Sequence, residues 1–214
     1  MGLAAAVALG TAGCGRSDDP EPQPAADTRA TAAVEVSGPL CQALPTGDDP
    51  GAPQSIAGEP ANVVLTWIPV ATMFEAAVRA TGLDRELNGR DQPVTILAPT
   101  DEAFQKAFDE ETMDELLLER QGELRELVES HMLDGARSLA DLRESGELTT
   151  LAGPTVAVEP AGAMVELGHR AKTVCADYAA ANARIHVVDA VLPSRRLARR
   201  PPSARPHSHR GEAG

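Results

Sequence analysis

Large aromatic side chains are scarce in this chain, with one Trp, one Tyr and three Phe in 214 residues. A core must then be assembled from Leu, Val, Ile and Ala, and few rings remain to wall a ligand cleft. Cysteine is nearly as sparse: Cys14, Cys41 and Cys175 fit neither a zinc spacing nor a Cys-x-x-Cys redox pair. The His residues, at 131, 169, 186, 207 and 209, offer no convergent metal set, because only the last two are close and they lie in a tail. No oxygen-rich calcium loop, phosphate-cradling glycine loop or Gly-x-Ser-x-Gly elbow occurs. These absences argue against a catalytic constellation, and no metal or cofactor is expected.

Positive charge is in deficit as well. The net charge is −13, and because the segment after Ser194 holds six Arg and one Glu, the remainder carries −18. So acidic a body repels phosphate backbones, so nucleic acid is not an expected partner. The basic end, residues 195–214, reads as a solvated, disordered tail. The imbalance is densest from Asp101 to Glu129, with eleven Asp/Glu against three Lys/Arg. Most of these fall off the apolar positions and read as a soluble helical face. Steering of a basic partner is the sharper alternative, and salt would screen it.

What is present begins with compartment. Leu3 to Gly13, LAAAVALGTAG, is an uncharged, mostly apolar run, too short to span a bilayer and of the length of a signal-peptide core. It ends at Cys14 behind Ala12-Gly13, similar to a bacterial lipobox in which the Cys is lipidated, although Thr11 stands where an aliphatic residue is usual and no Lys or Arg precedes the run. The expectation is a signal peptide and lipobox over 1–14, then a Pro- and Ala-rich tether over 15–38. Simple secretion is the alternative. If Cys14 carries lipid, Cys41 and Cys175 remain as an even pair, which an exported chain would oxidise. Closing so long a loop would stabilise by on the order of 4 to 5 kcal/mol in the loop-entropy model. Two free, buried thiols are the other reading.

The folded domain is expected over 39–194. In IPVATMFEAAVRATGL, Val70, Met73, Phe74, Ala77 and Val78 recur at helical spacing, with Gly82 as the stop. ANVVLTWI before it reads as a helical turn or two. VTILA is β-branched and apolar, a buried strand that Pro99 ends. Thr100 then sits at an N-cap, Asp101 and Glu102 place negative charge in the first helical turn, and Phe104 and Phe108 aim at the core. Thr112 to Glu115, TMDE, reads as the capping box of a second helix, and ELRELVESHML puts Leu124, Leu127, Val128 and His131 on one helical face. From Leu148 the rhythm changes to LTTLAG, TVAVEP, MVELGHRAKTVC and RIHVVDAVLP, strand-like runs broken by turn residues. Helices first and strands afterwards indicate an α+β fold.

VTILAPTDEAF resembles the first signature of the fasciclin (FAS1) domain, and RIHVVDAVLP, Arg184 to Pro193, is similar to its closing signature. The resemblance spans about Pro60 to Pro193 and implies a β-sandwich-like wedge decorated by helices, with adhesion or protein binding as its activity and no catalysis. Cys41 in the lead, with TVCADYAAANARIHVVDAVL near the end, resembles mycobacterial-type fasciclin surface lipoproteins and secreted antigens. That likeness implies a disulfide between Cys41 and Cys175, tying the lead to the strand before the closing signature. The family carries a Tyr-His pair between its signatures; here it is Ser130-His131, so the His matches and the Tyr does not. His131 is expected to be a hydrogen-bonded packing residue. Asp189 is expected to brace the domain internally, against backbone of the first signature.

The expected function is that of a non-catalytic cell-envelope lipoprotein, a monomer, which binds a protein or surface polymer and reaches the membrane through its N-terminal lipid. Two alternatives stand beside it. One is a small-ligand carrier with Trp67 lining its cleft; the other is an envelope enzyme, which would need a converging acid pair or nucleophile.

Overall fold

A computed structural model of the chain describes residues 35–198 apart from 48, 90 and 91. Cys14, the tether up to residue 34 and the tail from residue 199 lie outside the described residues. After a 3-10 turn at Cys41–Ala43 come α1 (Pro53–Ile56), α2 (Ala61–Thr66), α3 (Thr72–Ala80) and α4 (Leu83–Asn88). Strand β1 (Val94–Pro99) leads into α5 (Asp101–Ala107), α6 (Glu110–Leu118) and α7 (Gln121–Glu129). Then follow β2 (Met132–Asp134), α8 (Leu139–Ser145), β3 (Glu147–Thr149), β4 (Thr155–Ala161) and β5 (Met164–Leu167). The long β6 (Ala171–Ala180), β7 (Ala183–Val188) and α9 (Arg195–Ala198) complete the order.

The strands form one mixed sheet in the order β2-β1-β7-β6-β5-β4-β3. A bridge between Leu133 and Thr150 joins its two ends, so the sheet curls nearly into a barrel. Strands β1 and β7 run parallel, in register from Val94 opposite Ala183 to Pro99 opposite Val188. The two signature segments are therefore hydrogen-bonded neighbours, second and third in the order of the sheet. The α+β expectation holds.

The continuous apolar character of VTILAP has a packing cause. All six residues of β1 are buried. Val94, Ile96 and Ala98 face the core shared with the helices, while Leu97 faces a second core inside the curled sheet. A strand covered on both faces loses the polar alternation of a half-exposed one. Strand β7 repeats the pattern, with Ile185 and Val187 in the first core and Val188 in the second.

The lead is part of this fold, and so are Ser37 and Gly38, which were expected to belong to the disordered tether. Ser37 pairs with Ala176 through backbone bonds of 3.1 and 2.8 Å, and the Leu40 N–H donates to the Val174 carbonyl at 2.9 Å. Cys41 and Cys175 form a disulfide with Cα atoms 5.0 Å apart and 134 positions between them in sequence. Gly38 is required at this crossing: its φ is +138°, and a Cβ there would meet the Val174 carbonyl oxygen at 2.4 Å.

Four local expectations need correction. The cap of α6 is Asp109, whose carboxylate accepts from the Thr112 N–H at 2.8 Å, so Thr112 lies inside the helix and not at its start. Either residue can cap, and the chain takes the earlier one because Phe108 has just left α5 in an extended conformation. Helix α7 stops at Glu129, so His131 is off the helix, and Met132 and Leu133 turn into β2, the edge partner of β1. The run MVELGHRAKTVC is two strands, β5 and part of β6, folded back at Gly168 and His169, both with positive φ. Finally, the first residues of the basic tail, expected to be disordered, form α9: Arg196 meets Glu126 of α7 through its backbone N–H (3.1 Å) and its guanidinium (2.9 Å).

Candidate functional site

The strand-to-helix corner after β1 is a joint for three elements. Thr100 caps α5 as expected, its Oγ1 accepting from the Ala103 N–H at 3.1 Å. Its own N–H donates to the Val188 carbonyl at the end of β7, at 3.0 Å. Pro99, buried, closes the β1–β7 ladder opposite Val188. Asp101 does more than place charge near a helix N-terminus. Its carboxylate accepts from the Met73 N–H at 2.7 Å and from the Thr72 hydroxyl at 2.8 Å, while its N–H donates to the Val70 carbonyl at 2.8 Å. Helix α3 begins after Ala71, which has no side chain able to cap. Asp101 supplies that cap from 28 residues away. Sequence reasoning missed this, because a cap delivered across the fold leaves no local pattern.

Beneath the corner Phe104 is fully buried, with ring centroids 6.4 Å from Phe74 and 6.1 Å from the half-buried Phe108. Phe74 in turn lies 5.8 Å from the ring of His131. His131 is completely enclosed, as expected of a packing residue. Its Nδ1 lies 2.8 Å from the Leu127 carbonyl, and its Nε2 accepts from the Leu192 N–H at 2.8 Å. Both ring nitrogens are therefore satisfied by backbone, and burial lowers the ring's pKa to about 4.

His186 on β7 is a second enclosed imidazole. Its Nε2 donates to the Arg137 carbonyl at 2.9 Å and its Nδ1 accepts from the Asp177 N–H at 3.3 Å. Burial again lowers its pKa, opposed by the bond to Arg137 and by the Asp177 carboxylate. Asp177 holds a positive φ of 71° where β6 bulges, and its carboxylate accepts from the Leu139 N–H at 3.0 Å, next to the α8 cap. The Ser138–Asp141 pair at that cap is the true capping box of this chain, a Ser-x-x-Asp signal that the sequence displays openly.

Asp189 departs from expectation. It is exposed just past β7 and binds the Lys172 N–H of β6 at 2.7 Å, not the backbone of the first signature. The apolar strand has ended by Val188, so its carboxylate needs no buried partner. Trp67 ends α2 and covers Gly51, where a Cβ would come within 2.9 Å of the indole. It is 43 % exposed, and three open surface depressions are lined by other residues. Its expected role in walling a cleft finds no support there, while its outer face stays open to contact.

The acidic face lies mainly on α6. Asp109, Glu110, Asp114 and Glu119 line an open depression there together with Leu118, which is 77 % exposed. Nearby carboxylates are engaged by cations: Glu115 and Glu123 with Arg120, Glu86 and Glu129 with Arg125. Among the described residues no group of three His, Cys, Asp or Glu side chains could hold a metal ion. No described helix is long and apolar enough to cross a membrane.

The fasciclin domain profile matches residues 69–194, from the approach to α3 to the end of the closing segment. The chain belongs to the fasciclin family. The pig transforming growth factor-beta-induced protein ig-h3 is 35 % identical over 134 residues, which are 61 % of this chain and 19 % of that protein. Protein sll1483 of Synechocystis sp. is 34 % identical over 118 residues, 55 % of this chain and 63 % of its own length. The chain thus spans less than two thirds of either relative. A FAS1 domain pair from the insect cell adhesion molecule fasciclin I superposes with a TM-score of 0.58 at 17 % identity, covering 65 % of this chain and 52 % of that one. That likeness shows the same fold.

Proposed function

We propose that this fasciclin module is an exported, non-catalytic binding protein of the cell envelope that attaches to another protein or to a surface polymer. The observation that carries the reading is the fasciclin match over residues 69–194, laid on a fold in which His131 and His186 turn their ring nitrogens to backbone groups and in which, among the described residues, no group of three His, Cys, Asp or Glu side chains could hold a metal ion. A similar fold serves the insect cell adhesion molecule fasciclin I. Export is supported by the Cys41–Cys175 disulfide, because oxidising compartments are where such bonds persist. Lipid attachment at Cys14 is supported by the short apolar run before it, and the finer likeness to mycobacterial-type surface lipoproteins by the pairing of a lead cysteine with one in β6.

Two experiments test the reading. The purified, oxidised protein is used to capture envelope components from a fractionated cell wall and membrane extract. Retention of a defined protein or polymer supports binding; turnover of an envelope substrate without stable capture would replace it with the enzyme reading. Fatty-acid labelling of the wild type and of Cys14→Ala tests the anchor, and equal labelling of both removes it.

A further inference from the structure

The chain beyond β7 closes the domain through few polar contacts. It leaves the sheet at Asp189, whose N–H donates to the Lys172 carbonyl at 3.0 Å. Beyond that point, two described residues make polar contacts back to the body of the domain. The Leu192 N–H donates to His131 Nε2, and Arg196 engages Glu126. Val191 and Leu192 are buried alongside.

The surroundings of His131 determine its protonation state. The Leu127 carbonyl can only accept and the Leu192 amide can only donate, so the ring is neutral with its proton on Nδ1. A proton added at Nε2 would leave two donors facing each other across 2.8 Å. We propose that His131 is an acid-sensitive clasp: protonation of its ring releases residues 190–198 from the end of α7, α9 included, and frees the base of the Arg-rich C-terminal segment.

The groups facing the ring carry no charge. They are the Leu127 carbonyl and Ser130 hydroxyl from α7 and its cap, the Phe74 ring from α3, and the Leu192 amide. Carboxylates on the same elements have partners of their own: Glu75 with Arg79, Glu126 with Arg196, Glu129 with Arg125, and Asp189 with the Lys172 amide. Among the described residues no counter-charge is placed to hold an imidazolium, and burial keeps the folded pKa at about 4. Once released, the ring titrates near its ordinary value of about 6.5. Between those limits the open form binds more protons than the closed one. Opening therefore grows as pH falls, by up to about tenfold per pH unit, and this group contributes no pH dependence above them.

The test is amide exchange by NMR on the full-length oxidised protein from pH 7 to pH 4.5, with the His131 ring proton followed in parallel. The Leu192 protection factor is expected to fall by up to about tenfold per unit below roughly pH 6, while the Val94 and Thr100 amides of the β1–β7 ladder keep theirs. Glu126→Gln should lower Leu192 protection at every pH and keep the slope. His131→Gln, which offers an acceptor but does not titrate, should flatten it; if that variant does not fold, the wild-type comparison still decides. Leu192 protection that stays constant to pH 4.5, that vanishes together with Val94 and Thr100, or whose slope persists in His131→Gln would overturn the clasp.

Discussion

At the β1–α5 corner, polar side chains are spent on backbone: Thr100 on the Ala103 N–H and Asp101 on the Met73 N–H, with His131 beneath them on Leu127 and Leu192. Ten residues along the chain, on the outer face of α6, carboxylates of the same chemical kind face water beside the exposed Leu118. The two regions differ in what the solvent does for them. A buried oxygen or nitrogen must replace its lost water with a partner of fixed geometry. An exposed carboxylate keeps its water, and its attractions are screened within about 10 Å at ordinary salt. The corner can therefore change little without cost to the fold, whereas the α6 face is free to carry whatever contact distinguishes this protein from its relatives.

Substitutions graded by burial would break that comparison most directly. Phe104→Ala should have the largest effect, about 3 to 5 kcal/mol lost in denaturant unfolding, because a fully buried ring leaves a cavity among Phe74 and its neighbours. A smaller loss would mean that the corner is looser than its packing implies. Cys41→Ala with Cys175→Ala should cost about 2 to 5 kcal/mol in the same assay, read against the wild type under non-reducing conditions. In that variant the backbone pairing of Ser37 with Ala176 should lose exchange protection before the β1–β7 ladder does. Thr100→Ala should cost about 1 kcal/mol, the usual worth of an N-cap. At the other extreme, Glu110→Gln with Asp114→Asn should move stability by no more than about 0.5 kcal/mol. If the α6 face steers a basic partner, the same pair should weaken capture of that partner, and raised salt should do so too. Unaltered, salt-insensitive capture would separate the acidic face from binding altogether.

Much of the corner was legible because its signals are local. An apolar β-branched run, a Pro, a Thr cap and two Phe one turn apart all act within fifteen residues, and each does what its neighbours predict apart from the reach of Asp101. The acidic face was legible for the same reason, since helical spacing alone separates Leu116 from the carboxylates around it. Reading failed where a decision is made at a distance. His131 has a plausible place on the α7 stripe, yet the helix ends two residues earlier because Met132 and Leu133 are claimed by β1 as an edge strand. Asp189 looked buried because an apolar run surrounds it, and it is exposed because the ladder stops one residue before it.

Composition and short-range pattern, on their own, determined an α+β chain poor in rings and acidic on its helices, because those properties depend on residues within a few turns of one another. Folding alone decided that β1 and β7 lie side by side, that Asp101 caps α3 from 28 residues away, and that Ser37 pairs with Ala176 of β6 beside the disulfide. Such pairings depend on which surfaces bury one another, and surfaces separated by a hundred residues leave no mark on the sequence near either one.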